Sequence, residues 1–235
     1  MINAKSLLEQ FMGASTGGGD LQQKIGGIAD KSGLSGAAGG AAAGGLIALL
    51  LGSKSARKLG GKALAYGGAA AVGALAYRAW QNYQEGKRAN TGEVATEPLP
   101  PPQDSPFRLE NAPAADGLPF ELAVVRTMIA AAKADGHVDA EEQRKLFEHV
   151  DQQGFDNETK AWVFDELRKD HDVTSLAAAA RNAEQAAELY LAARLTIDPD
   201  HPKEEAFLRE LAVRLNLPDG LVEHLDAEVM AQARA

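Results

Sequence analysis

Residues 119–142 read PFELAVVRTMIAAAKADGHVDAEE, and their reading decides the fold. Pro119 suits the first turn of a helix. Leu122, Val125, Met128, Ile129 and Ala132 then recur at helical spacing and form one apolar stripe. Asp135-Gly136 stops the helix. Asp139, with Glu142 three positions later, has the form of a capping box with Asp in place of Ser or Thr. Leu146, Phe147 and Val150 supply the next stripe.

The pattern continues to the C-terminal side. Asp156 and Asn157 open a third predicted helix carrying Ala161, Val163, Phe164 and Leu167. The trio Asp170, His171 and Asp172 reads as its end, and Thr174 as the cap of a short Ala-rich helix. A longer helix is expected from about Arg181 to Leu195, with Ala186, Leu189, Tyr190 and Ala193 on its apolar face. Pro202 begins another, with Phe207, Leu208, Leu211 and Leu215, and Pro218 the last, with Leu221, Leu225 and Val229. No stretch alternates like a strand. The expectation is an all-α bundle of about 115 residues, enough for one core.

To the N-terminal side the material changes. Residues 1–92 hold 20 of the 24 glycines and none of the 10 prolines, and carry a charge of +6. Residues 93–235 carry −15, which brings the chain of 235 residues to −9. The acidic part argues against a nucleic-acid surface, because phosphate repels it. There is no cysteine, so disulfides, thiolate metal sites and a Cys nucleophile are excluded. The first 20 residues lack the pattern of a cleaved signal peptide.

Residues 33–52 run for 20 positions without a charge, between Lys31 and Lys54. As a helix they would cover about 30 Å, the thickness of a bilayer core. Gly36, Gly40, Gly44, Ala48, Gly52, Ala56 and Gly60 make a stripe, a glycine zipper, where another backbone can approach. A second uncharged run, residues 63–77, ends near Tyr77 and Trp80, rings that suit a membrane–water boundary. Three readings stand open: a flexible linker, a single span, or a tight pair of small-residue helices. Lys54, Arg57, Lys58 and Lys62 favour residue 54 onward in the cytoplasm if there is one span. A hairpin would put the C-terminal domain on the other side.

Residues 2–12 could form a short amphipathic helix through Ile2, Leu7, Leu8, Phe11 and Met12, either frayed or docked. Seven prolines between Pro98 and Pro119 predict an extended linker with no core of its own. The resulting division is an N-terminal segment 1–32, membrane-associated helices 33–80, a Pro-rich linker 81–118 and a helical domain 119–235.

Two acidic turns are the candidate chemistry, at residues 133–142 and 197–205. Ca²⁺ or Mg²⁺ needs several oxygens at about 2.0–2.6 Å, and two such turns meeting in space could supply them through Asp135, Asp139, Asp198 and Asp200. The same residues also suit helix starts, where carboxylates cap free N–H groups. His137 and His201 hold equivalent places in the two turns, which raises zinc as a lesser alternative. No nucleophile elbow, phosphate loop or dinucleotide-binding glycine pattern is present, so the chain reads as a non-enzyme.

Residues 128–142 resemble the opening of the tellurite-resistance TerB-like domain. The stretch Glu188-Leu189-Tyr190-Leu191-Ala192-Ala193, the Asp198/Asp200 turn and residues 205–212 strengthen the likeness. With the Gly-rich segment in front, the chain looks like the YebE family of bacterial inner-membrane proteins. The resemblance implies a TerB-like fold, an inner-membrane location and no enzymatic activity. It also implies candidate cation ligands at Asp135, Asp139, Glu142, Asp198 and Glu205. The functional expectation is a membrane-anchored, non-enzymatic helical module binding a protein partner or a divalent cation at its acidic turns. The alternatives are a structural protein that self-associates through its small-residue helices, and a metal-dependent enzyme using the same carboxylates.

Overall fold

The structure, a computed structural model, describes residues 2–12, 68–89, 99–136, 150, 155–197, 199 and 201–234. The regular structure among those residues is helical, with no strand. The helices are α1 (Ala4–Phe11), α2 (Gly68–Gln84), α3 (Phe120–Ala132), α4 (Asn157–Arg168), α5 (Val173–Ala177), α6 (Ala183–Thr196), α7 (Pro202–Arg214) and α8 (Asp219–Arg234). A 3₁₀ turn, Leu109–Asn111, lies in the strap that precedes α3.

Helix α6 is the axis of the bundle and packs on α2, α3, α7 and α8. Its alanines let these neighbours approach from several sides, and Ala187, Leu189, Leu191, Ala192 and Ala193 are all buried. A helix surrounded in this way also buries its polar residues, and Gln185, Glu188, Arg194 and Thr196 go inside with the rest. Helix α3 is nearly as enclosed, with Arg126 its most exposed side chain.

The helix starts follow local chemistry. Asp156 Oδ1 accepts from the Thr159 N–H at 2.8 Å, and Asn182 Oδ1 from Gln185 N–H at 2.8 Å. Asp172, not Thr174, caps α5: its carboxylate takes the N–H groups of both Thr174 and Ser175. A carboxylate one position before the helix reaches two orphan donors, which the Thr174 hydroxyl inside the helix cannot do. His201 caps α7, its Nδ1 accepting from Lys203 N–H. Asn216 closes α7 in the left-handed region (φ 54°), and Leu217 N–H returns to the Ala212 carbonyl.

Three parts outside 119–235 join this core. Helix α1 docks on α2 and α3, with Leu7, Leu8 and Phe11 fully buried. It is a docked element, not a frayed end. Helix α2, in the stretch read as membrane-associated, buries Ala71, Val72, Leu75, Ala76 and Ala79 against the bundle. The Arg78 guanidinium pairs with Glu228 of α8, and both ring nitrogens of His224 lie against carbonyls, of Gly220 at 2.7 Å and of Lys87 at 3.1 Å.

The third part is the strap, residues 99–119, which was expected to have no core. Phe107, Leu109 and Ala114 are buried in the common cluster. The Tyr77 and Trp80 rings close on Phe107 at centroid distances of 5.6 and 5.7 Å. Proline makes the strap cheap to order, because little backbone freedom remains to be lost. Gln185 and Arg181 side chains then bind its carbonyls at Ala112, Pro113 and Ala114.

Gly73 lies in the second uncharged run, residues 63–77, where small residues recur at Gly61, Ala65, Ala69 and Gly73. A Cβ there would overlap the Phe107 carbonyl oxygen and crowd Leu109. The expected close backbone approach is real at this position, but the visiting backbone is the strap. Among the described residues no helix is long and apolar enough to cross a membrane. The run 33–52 and its stripe through Gly60 lie outside the described residues, as do Leu146 and Phe147.

Candidate functional site: a cleft where two turns meet

Helix α3 ends at Ala132, and the chain turns through Lys133, Ala134 and Asp135 to Gly136. Gly136 takes φ +84°, a conformation that side chains with a Cβ rarely adopt. From α7, Lys203 reaches across and its Nζ donates to the Asp135 carbonyl at 2.9 Å. The start of α7 and the turn after α3 are thus neighbours, 68 positions apart in sequence.

Beside this junction opens a cleft of about 370 Å³. Ala130, Leu167 and Phe207 give it apolar lining, and Lys133, Arg168, Lys169, Asp170 and His171 give it a polar one. Lys133 Nζ donates to the carbonyls of Leu167 (3.1 Å) and Lys169 (2.7 Å). An ammonium at the last carbonyls of α4 satisfies orphan acceptors and suits the negative end of the helix dipole.

Below the rim lies an ion cluster. Glu166 has a side chain only 2% exposed and accepts from Arg126 Nε at 2.8 Å and Lys169 Nζ at 2.9 Å. His171 Nε2 lies 3.2 Å from the same carboxylate. Burial raises the Glu166 pKa, but the bonds from Lys169 and Arg126 outweigh it and the net shift is downward. For His171, burial lowers the pKa, Glu166 partly restores it, and the cations Arg126 and Lys133 lower it further. The imidazole is therefore biased toward neutral.

The proposed cation ligands divide into two groups. Asp135 and Glu205 belong to the described residues; Asp139, Glu142, Asp198 and Asp200 lie outside them, as does His137. Asp135 reaches the junction and receives Lys203 on its carbonyl. Glu205 stays on the exposed face of α7 within 3.4 Å of Arg209, one turn along. Among the described residues no group of three His, Asp or Glu side chains could hold a metal ion. His201 is engaged as a helix cap.

Sequence reasoning missed Lys133, Glu166 and His171. The Asp170-His171-Asp172 trio was visible as a helix end. Nothing local signalled that His171 folds back on Glu166 or that Arg126 arrives from a helix 40 positions earlier.

Residues 36–229 match the family described as "Protein of unknown function (DUF533)". The chain belongs to the DUF533 family. This agrees, at the level of family and of an all-helical fold, with the likeness to TerB-like and YebE proteins. Among curated proteins, this DUF533 chain is similar to the "Uncharacterized protein in ampR 5'region" of Yersinia enterocolitica. The two are 26% identical over 106 residues, covering 45% of this chain and 76% of that protein. No solved structure matches.

Proposed function

We propose that this DUF533 protein is a non-enzymatic, membrane-tethered binding module of the bacterial inner membrane. Its helical bundle faces the cytoplasm and takes a protein partner at the cleft between α3, α4 and α7. The observation that carries the reading is the cleft itself. Its apolar lining of Ala130, Leu167 and Phe207 sits beside Lys133, Arg168 and Lys169, three cations to the one carboxylate of Asp170, in a stretch of chain that is otherwise strongly acidic. An apolar side chain flanked by carboxylates complements that combination. The 20-residue uncharged run at 33–52, followed by Lys54, Arg57, Lys58 and Lys62, supports the tether and its orientation.

A divalent cation at the two turns is a second reading, favoured by the junction of Asp135 with the start of α7. The Lys203 ammonium already occupies part of that junction, which weakens it relative to partner binding.

Two measurements test the proposal. Cells expressing the full chain and a version lacking residues 33–67 are fractionated by ultracentrifugation. The full chain should pellet with membranes and the deletion should not; a full chain left in the supernatant overturns the tether. A photo-crosslinking residue at Phe207 should give one discrete adduct, lost with Ala130→Arg in the cleft. Absence of a discrete adduct, or its persistence with Ala130→Arg, overturns the cleft. Thermal melts with millimolar Ca²⁺ and Mg²⁺, repeated on Asp135→Asn/Asp198→Asn, decide the cation reading by mass action.

A further inference from the structure

Glu188 lies in the middle of α6 with no exposed surface, and neither carboxyl oxygen has a hydrogen-bond partner. Its Oε1 would be 3.4 Å from a Cβ placed on Gly73, and the same Cβ would meet Phe107 and Leu109 of the strap. The carboxyl group therefore sits where α2, α6 and the strap converge.

The groups acting on it are all acidic. Glu184 comes from its own helix, Glu110 from the strap and Glu121 from the first turn of α3. Glu110 is 3.5 Å from Arg108. From helix α2 come Gly73 and, one turn on, Tyr77, whose ring lies against Phe107. An ionised Glu188 would be a buried charge facing like charges, so it keeps its proton: burial, then Glu184, Glu110 and Glu121, push its pKa well above the ordinary range.

Ionisation requires water, and the strap is the covering element that is held by side-chain packing without being a helix of the bundle. Helices α2, α3 and α6 are fixed by continuous apolar packing. The strap between Ser105 and Asn111 is hydrogen-bonded within itself, Asn111 Nδ2 donating to the Gln103 and Ser105 carbonyls and Arg108 Nε to those of Pro101 and Pro102, and it meets the helices through Phe107, Leu109 and the Tyr77 and Trp80 rings. Beyond it, Ala112 to Ala115 are tied down by Gln185, Arg181 and the Ala179 carbonyl. That leaves a hinge near Ala112 and a releasable part before it.

We infer that residues 105–111 form a proton-controlled latch: closed over protonated Glu188, and lifted from Gly73 when that carboxyl ionises. Lifting uncovers Phe107, Leu109 and the faces of Tyr77 and Trp80, an apolar surface that the closed form hides. This is separate from the cleft at α4 and does not depend on it.

Hydrogen exchange read by mass spectrometry tests the latch on the full chain in mild detergent. At each pH, wild type is compared with Glu188→Gln, which has the shape of the protonated acid and cannot ionise. Peptides covering 103–112 should exchange equally in both proteins at pH 5. At pH 8.5 they should exchange at least tenfold faster in wild type, while peptides of α3 and α6 stay alike. Equal strap exchange at both pH values overturns the latch. So does loosening spread over all the helices, which would mean that the bundle opens as a whole. Should Glu188→Gln fail to fold, Gly73→Ala serves instead. Its methyl group holds the strap off, so its strap should exchange fast at both pH values, and retained protection at pH 5 overturns the latch.

Discussion

Glu166 and Glu188 are both almost wholly buried, and they do opposite things. Glu166 is met by Arg126, Lys169 and His171, and its carboxyl stays charged. Glu188 is met by nothing that can donate to it and by three further acids, and its carboxyl stays protonated. Burial acts in the same direction on both. What differs is the set of donors within reach, and that set comes from other helices. The comparison teaches that depth in the bundle does not fix the charge of a carboxyl group; the facing element does.

The two sites should pull stability in opposite directions with pH. The native pKa of Glu166 is depressed, so its contribution is present above the ordinary glutamate range and disappears as the medium is acidified through the native value. The native pKa of Glu188 is raised, so its contribution is complete below the ordinary range and is withdrawn as the pH climbs toward the native value.

The largest way to break the comparison is Glu166→Ala. It leaves Arg126 and Lys169 facing a vacated buried site, and should cost about 3 kcal/mol in urea unfolding at pH 7. A loss within about 0.5 kcal/mol would make the cluster a surface ion pair in effect. Next is Gly73→Ala, which forces a methyl group against the Phe107 carbonyl. Overpacking there should cost about 2 kcal/mol, and an unchanged midpoint would show that the strap is not pressed on α2.

Glu188→Gln sharpens the contrast. Wild-type stability should fall by up to about 1.4 kcal/mol per pH unit between the ordinary glutamate range and the native value. The variant should lack that slope, and parallel curves would mean that Glu188 has an ordinary environment. The smallest effect is expected at Asp226, an intermediate case. Burial raises its pKa, while Arg194 and a hydrogen bond from Tyr190 lower it. Asp226→Asn should cost about 1 kcal/mol by denaturation, since it weakens the α6–α8 link and keeps the Tyr190 contact available. A cost above that of Glu166→Ala would reverse the ranking of these sites.

Among the described residues from Pro119 onward, the sequence by itself determined the helices and most of their starts. Asp156, Pro202 and the stripe from Leu122 to Ala132 act within one or two turns, and interactions of that range can be read along the chain. It also showed that Asp135 and the start of α7 were worth placing together. The tertiary structure alone decided that α1 docks, that α2 belongs to the bundle, and that the proline strap closes a core over Gly73. It alone decided that Glu166 is charged and Glu188 is not. The Arg78–Glu228 pair joins residues 150 positions apart, and no local pattern records such a meeting. An alanine-rich helix such as α6 has an apolar surface on nearly every side, so periodicity cannot say which neighbour covers which face. Only packing chooses, because burial rewards any apolar cover alike and the close fit of backbone on glycine selects one.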